Sequence, residues 1–177
     1  MKRIFRLSML LAVLAVASFS CKKGNLDGPT PVYYSDWITP GPYTQSTRVG
    51  VIYYDANISA PRITDDVLKT GVVLVYGKLD GYDPSIWPTD QVSLLPVSLF
   101  YQQIIPINHL VQFSDIWSPR ITKGNIDINV THEDYTLPSA SPGFQFRYVI
   151  VPGNDHILST VNTKNYNELK MALRIKD

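Results

Sequence analysis

Ile126-Asp127-Ile128-Asn129-Val130-Thr131-His132-Glu133 changes character at every step. Ile126, Ile128, Val130 and His132 fall on one side of an extended chain. Asp127, Asn129, Thr131 and Glu133 fall on the other. A period of two residues is the signature of a strand with one face in a core and one in water. The same reading extends outward. Phe144–Val151 (FQFRYVIV) places Phe144, Phe146, Tyr148 and Ile150 on one side and is stopped by Pro152-Gly153. Val72–Leu79 (VVLVYGKL) is a continuous apolar run, which predicts a strand buried on both faces. Arg48–Ile58 puts Val49, Val51 and Tyr53 on one face and Gly50, Ile52 and Tyr54 on the other, so two-sided burial is expected there as well. Val32–Ile38, Val92–Tyr101 and Ile104–Phe113 complete the β pattern. Pro96 and Pro106 mark an edge, a bulge or a boundary in the last two.

Two segments read as helices. Thr64 caps a short one running to Lys69, with Asp65 and Asp66 at its positive end and Gly71 at its exit. At the C-terminus, Asn165 followed three residues later by Glu168 has capping-box spacing, and Tyr166, Leu169 and Leu173 share a face. Six or seven short strands with turn residues between them, and no strand–helix alternation, predict an all-β antiparallel sandwich over residues 32–177 with a short C-terminal helix.

Composition narrows the class further. The chain has 177 residues, 45% apolar and 18% charged, with one Cys and a formal charge of +1. This is neither a disordered nor a collagen-like composition. One Cys excludes an internal disulfide framework, and the charge balance offers no basic field for nucleic acid. Lys2, Arg3 and Arg6 precede an apolar stretch from Leu7 to Phe19, interrupted only by Ser8 and Ser18, and small residues lead to Cys21. That is the layout of a signal peptide over residues 1–20. It is too short for a bilayer of ~30 Å, and it lacks the polar face of a surface helix. Its removal leaves 157 residues with 13 basic and 15 acidic side chains, a net charge of −2. Residues 22–31 (KKGNLDGPTP) have no apolar period and hold two Gly and two Pro, the composition of a flexible tether.

The end of this leader resembles the lipobox of bacterial lipoproteins, whose cysteine becomes the acylated N-terminus. Ser18 and Phe19 depart from the aliphatic and small residues usual in such a box. The resemblance implies lipidation (palmitate and related acyl chains) at Cys21 and retention on a membrane. Lys22, rather than Asp, follows the cysteine, which implies the outer membrane, with the periplasmic or outward face left open. The segments SDWITP (35–40), ITDDVLKTGVVLVYGKL (63–79), FRYVIVPG (146–153) and YNELKMALRIKD (166–177), in this order, resemble small Bacteroidetes-type lipoproteins of unknown function. That resemblance implies a β-sandwich with a C-terminal helix and carries no catalytic residue.

Candidate chemistry is sparse. His109, His132 and His156 lack metal-ligand spacing, and the expectation is a core or rim imidazole for the first two and a solvated one for His156. No nucleophile elbow occurs, and the only Glu residues are Glu133 and Glu168. Asp80-Gly81-Tyr82-Asp83 reads as a turn rather than a calcium loop. Trp37, Trp87 and Trp117 lie beside Pro or Asp and are the candidate ligand-binding residues, as loop platforms for a sugar ring or a protein. The expectation is a lipid-anchored envelope domain, not an enzyme, without metal or cofactor. It would act as a structural or interaction module toward an envelope protein, or alternatively bind glycans through its loop aromatics.

Overall fold

The structure, a computed structural model, describes residues 32–49, 51–105, 109–132, 143–153 and 156–176. These residues form nine strands in two sheets, and every strand pairing is antiparallel. The strands are β1 (Tyr33–Tyr34), β2 (Thr44–Arg48), β3 (Val51–Ala60), β4 (Val72–Leu79), β5 (Ser93–Leu94), β6 (Val97–Ile105), β7 (His109–Thr122), β8 (Gly124–His132) and β9 (Phe144–Val151). The helices are α1 (Asp65–Thr70) and α2 (Tyr166–Leu173). One sheet has the order β1-β9-β4-β5 and the other β2-β3-β8-β7-β6. The expected β-sandwich with a short C-terminal helix is the fold observed.

The sandwich core forms where the apolar faces of the two sheets meet. Ile52, Tyr54 and Ile58 of β3 and Ile126, Ile128 and Val130 of β8 pack against Val75 and Leu79 of β4 and Phe144, Phe146 and Tyr148 of β9. The opposite face of the four-stranded sheet is also covered. Tyr76, Val149 and Val151 pack there against Tyr166 and Leu169 of α2 and against Ile175. This second core explains why β4 and β9 are apolar on both faces, whereas β8 alternates.

Several strands depart from the sequence expectation. β1 is only two residues long, because the chain bulges against β9. Tyr34 pairs with Val149, but Ile38 bridges Phe146, so one extra residue is taken up between them. The Ser35 hydroxyl stands in for a backbone acceptor by taking the Tyr148 N–H at 3.1 Å. Arg48–Ile58 is not one strand but the join of the β2–β3 hairpin, with Val49 at φ 51° in its turn. Its expected two-sided burial is corrected too. Ile52 and Tyr54 are buried, while Val51 is exposed, because the outer face of the five-stranded sheet has no cover there.

Pro96 does interrupt its run. A cis Leu95–Pro96 bond separates β5, in one sheet, from β6, in the other. β7 continues to Thr122, through residues 114–122 that read as a loop. Pro119 fits in this strand because β6, which ends its pairing at Val97–Trp117, no longer flanks it. Residues 106–108, which include Pro106, lie outside the described residues.

Both helix starts follow their caps. Thr64 Oγ1 accepts the Val67 N–H at 3.3 Å, and Asn165 Oδ1 accepts the Glu168 N–H at 3.3 Å. The reciprocal half of the capping box is replaced, since the Glu168 carboxylate takes the Asn162 N–H at 2.9 Å. α2 ends with Arg174 at φ 53° and the Ile175 N–H on the Lys170 carbonyl at 3.0 Å, which turns Ile175 into the second core.

Candidate functional site

The inward positions of β7 are Phe113, Asp115 and Trp117. A carboxylate between two aromatic rings must find donors, since an unpaired buried charge is far costlier than a buried apolar group. Asp115 is wholly buried and is met by three neighbours. Tyr82, from the turn after β4, donates its hydroxyl to Oδ2 at 2.5 Å. Tyr101 of β6 donates to the same oxygen at 3.1 Å. His132, the last residue of β8, rests its Nδ1 against Oδ1. Trp117 Nε1–H in turn donates to the Tyr82 hydroxyl at 2.9 Å. Burial, and then the adjacent carboxylate, push the Tyr82 hydroxyl well above the usual tyrosine range, so it stays a donor.

A carboxylate holding an imidazole is half of a proton relay. Here the carboxylate and the imidazole are enclosed between the sheets, with Asp115 0% and His132 3% exposed. A substrate atom must come within about 3 Å of a general base, so this constellation acts as a clamp. It ties β6, β7, β8 and the loop after β4 together. His132 is thus the core imidazole that its place on the apolar face of β8 predicts. Sequence reasoning missed Asp115 and Tyr82. The signal was the alternation Phe113, Asp115, Trp117, visible only once β7 is read as a strand.

Two of the three tryptophans are not loop platforms. Trp117 is 0% exposed, on β7 in the core, with its ring centroid 4.9 Å from Phe144 and 5.8 Å from Phe146. Trp87 is 1% exposed. It folds inward from its loop and donates Nε1–H to the Gln91 carbonyl at 3.2 Å. Trp37 is half-buried on the outer side of the four-stranded sheet. Its ring is taken by the Lys78 ammonium at 4.7 Å, the Arg147 guanidinium at 4.9 Å and Tyr166 at 5.7 Å. The expectation that these rings stack on a ligand is corrected for Trp87 and Trp117, which present no face to solvent. Cys21 lies outside the described residues, as does the side chain of His109, and His156 is exposed. Among the described residues, no three metal-ligating side chains converge, and no helix is long and apolar enough to cross a membrane.

Two surface features bear on binding. The first is a groove of about 450 Å³ between the Asp90–Val92 turn and the start of α2. Asn162 and Asn165 on its rim already use their side-chain oxygens to hold the helix start. Asp90, Gln91, Lys164 and Asn167 complete its polar wall.

The second is the outer face of the β6–β7 hairpin. Phe100 is 69% exposed, Ile104 68%, Leu110 59% and Ile116 41%. Ile104 pairs directly with Leu110, while Ser98 pairs with Ile116 and places it diagonally beside Phe100. Between them lie only Ser and Gln, and residues 91–114 contain no Asp, Glu, Lys or Arg. Farther along the same sheet face, Asn57 of β3, Asp127 of β8 and Arg120 of β7 form one hydrogen-bonded row, and Asp55 is paired to Asn129. No family model, no curated protein and no solved structure matches this chain.

Proposed function

We propose that this chain is a lipid-anchored envelope domain that works as an interaction module, with the outer face of β6–β7 as its contact surface. The observation that carries the reading is the exposed row Phe100, Ile104, Leu110 and Ile116, the first three within residues 91–114, which hold no Asp, Glu, Lys or Arg. Contiguous apolar surface on a soluble domain marks contact sites. The anchor rests on the leader and Cys21, and through them on the lipobox resemblance. The outer membrane is the proposed address.

The test uses the full chain in its own envelope. Native gel migration after mild detergent extraction is compared for the wild type and the pair Phe100→Lys with Ile104→Lys. Both positions face solvent, so folding is retained. Migration as a larger assembly that the lysines reduce to the single chain supports the reading, and unchanged migration contradicts it. For the anchor, Cys21→Ala is expected to release the chain from membranes and abolish acyl labelling. Persistent attachment would contradict lipidation.

A second reading, a ligand-binding module, is favoured by the groove beside Asp90. Its amide, carboxylate and ammonium side chains suit a hydroxylated ligand such as a saccharide. In that case Asn167→Ala and Gln91→Ala should weaken binding to a saccharide panel, and no binding by the wild type would remove it.

A further inference from the structure

Edge strands expose unpaired backbone groups, and proteins blunt them with charge, proline, bulges or brevity. The two edges of the five-stranded sheet differ in this respect. β2 is five residues of Thr, Gln, Ser and Arg. β6 is nine residues long, roughly 30 Å at ~3.4 Å per residue, and carries no charge. Among the described residues its one strand partner is β7. The occupant that fits this edge is therefore itself an uncharged strand with apolar residues on one face, and β6 has that description.

We propose that β6 pairs antiparallel with β6 of a second copy across a two-fold axis at Gln102, joining two five-stranded sheets into one. The proposal rests on the reading of β6–β7 as the contact surface and names its partner. A two-fold axis sets every residue against its own kind or its mirror position in the strand. A charge on the axis would meet a like charge, and the strand carries none. With Gln102 on the axis, Phe100 of each copy lies opposite Ile104 of the other, so two apolar pairs form beside the exposed row. The Gln102 amide carries both a donor and an acceptor and can bond its own copy.

Direction also favours a second copy over the membrane. The described residues begin at Val32, next to Tyr33, whose ring the Arg62 guanidinium covers at 4.2 Å. Arg62 follows Ala60, which pairs with Gly124 beside the end of β7 at Thr122. From Thr122 back to Leu110 is about 40 Å of strand at ~3.4 Å per residue. The apolar tip therefore points away from the end at which the tether joins.

The experiment uses the full-length chain. Gln102→Cys is oxidised in the envelope beside Ser59→Cys, an exposed control on the polar part of the same sheet face, and beside the wild type, which retains only Cys21. Partners held together react at an effective concentration far above the collisional one, so a disulfide dimer about tenfold above both controls is expected. Light scattering of the detergent-purified wild type should give two chains per particle, and Phe100→Lys with Ile104→Lys should give one.

One chain per particle for the wild type, with Gln102→Cys no more dimeric than Ser59→Cys, overturns the proposal. If a larger native assembly is still lost with the lysine pair, a different protein occupies the surface and the interaction reading survives. If the monomeric wild type instead binds phosphatidylglycerol vesicles through Ile104, a lipid surface replaces the second copy. If neither assembly nor vesicle binding responds to the lysines, both readings fall.

Discussion

The Tyr82 hydroxyl sits 2.5 Å from Asp115 Oδ2 while accepting the Trp117 indole N–H, so one phenol links a loop to two positions of one strand. Tyr82→Phe keeps the ring contacts but leaves Asp115 one donor short and Trp117 Nε1 without this acceptor. An unsatisfied buried group costs about 1–3 kcal/mol. Urea unfolding of Tyr82→Phe should show a loss in that range, and an unchanged midpoint would mean the hydrogen bonds add nothing.

The second core predicts a separate sensitivity. Leu169 is fully buried between α2 and the outer face of β4 and β9. Leu169→Ala should destabilise by roughly 2–5 kcal/mol, the range for emptying a close-packed leucine site. An unchanged thermal midpoint would show that α2 adds no stability to the sandwich.

Two turns hold residues that dislike their backbone geometry. Val49 lies at φ 51° and Arg174 at φ 53°. A side chain in the left-handed region costs on the order of 1 kcal/mol, more when β-branched. Val49→Asn supplies the residue that tolerates this geometry ahead of Gly50, and Arg174→Gly does the same at the end of α2. Each should raise stability by about 0.5–1 kcal/mol in denaturant titrations, and a loss of stability would contradict the turn assignments.

Acid sensitivity on the outer face should trace to Asp127. Its carboxyl is held below the usual carboxylate value of 3.8, first by the Asn57 amide at 2.7 Å and then by Arg120 at 2.8 Å, with desolvation opposing. A pKa lowered on folding contributes stability above the ordinary value, and that contribution is lost as pH falls through the folded one. The pair is largely solvated, so the effect is below about 1 kcal/mol. The stability gap between wild type and Asp127→Asn should be constant near neutrality and close below about pH 4. A gap independent of pH would remove the ion pair from the account.

Much of this fold is legible in the residues, for local reasons. β8 follows from strict alternation, β9 from an apolar run stopped at Pro152-Gly153, and the caps at Thr64 and Asn165 place both helices. The β2–β3 turn is hidden because a β-branched valine occupies a position where asparagine or glycine is usual. β7 is hidden because Ser118-Pro119 looks like a turn, and its tolerance depends on where β6 stops, a fact of sheet topology. The clamp is less legible still. Asp115 meets Tyr82 and His132 from far along the chain, and no local pattern says that an aspartate will point inward. Trp87 and Trp117 are hard to place from sequence for the same reason, since their polar neighbours suggest solvent while the two-sheet core takes their rings. The β6–β7 surface combines a composition visible in the sequence with an exposure that only the pairing register reveals.

The central claim is that the β6 edge of this surface is engaged by a partner strand where the protein works. Maleimide labelling of Ile104→Cys in the full chain, in intact envelopes, tests it most directly, with Ser59→Cys as the exposed reference and the wild type correcting for Cys21. The account predicts that Ile104→Cys reacts several-fold more slowly than Ser59→Cys in the envelope and equally fast after denaturation. Equal rates in the envelope would contradict it.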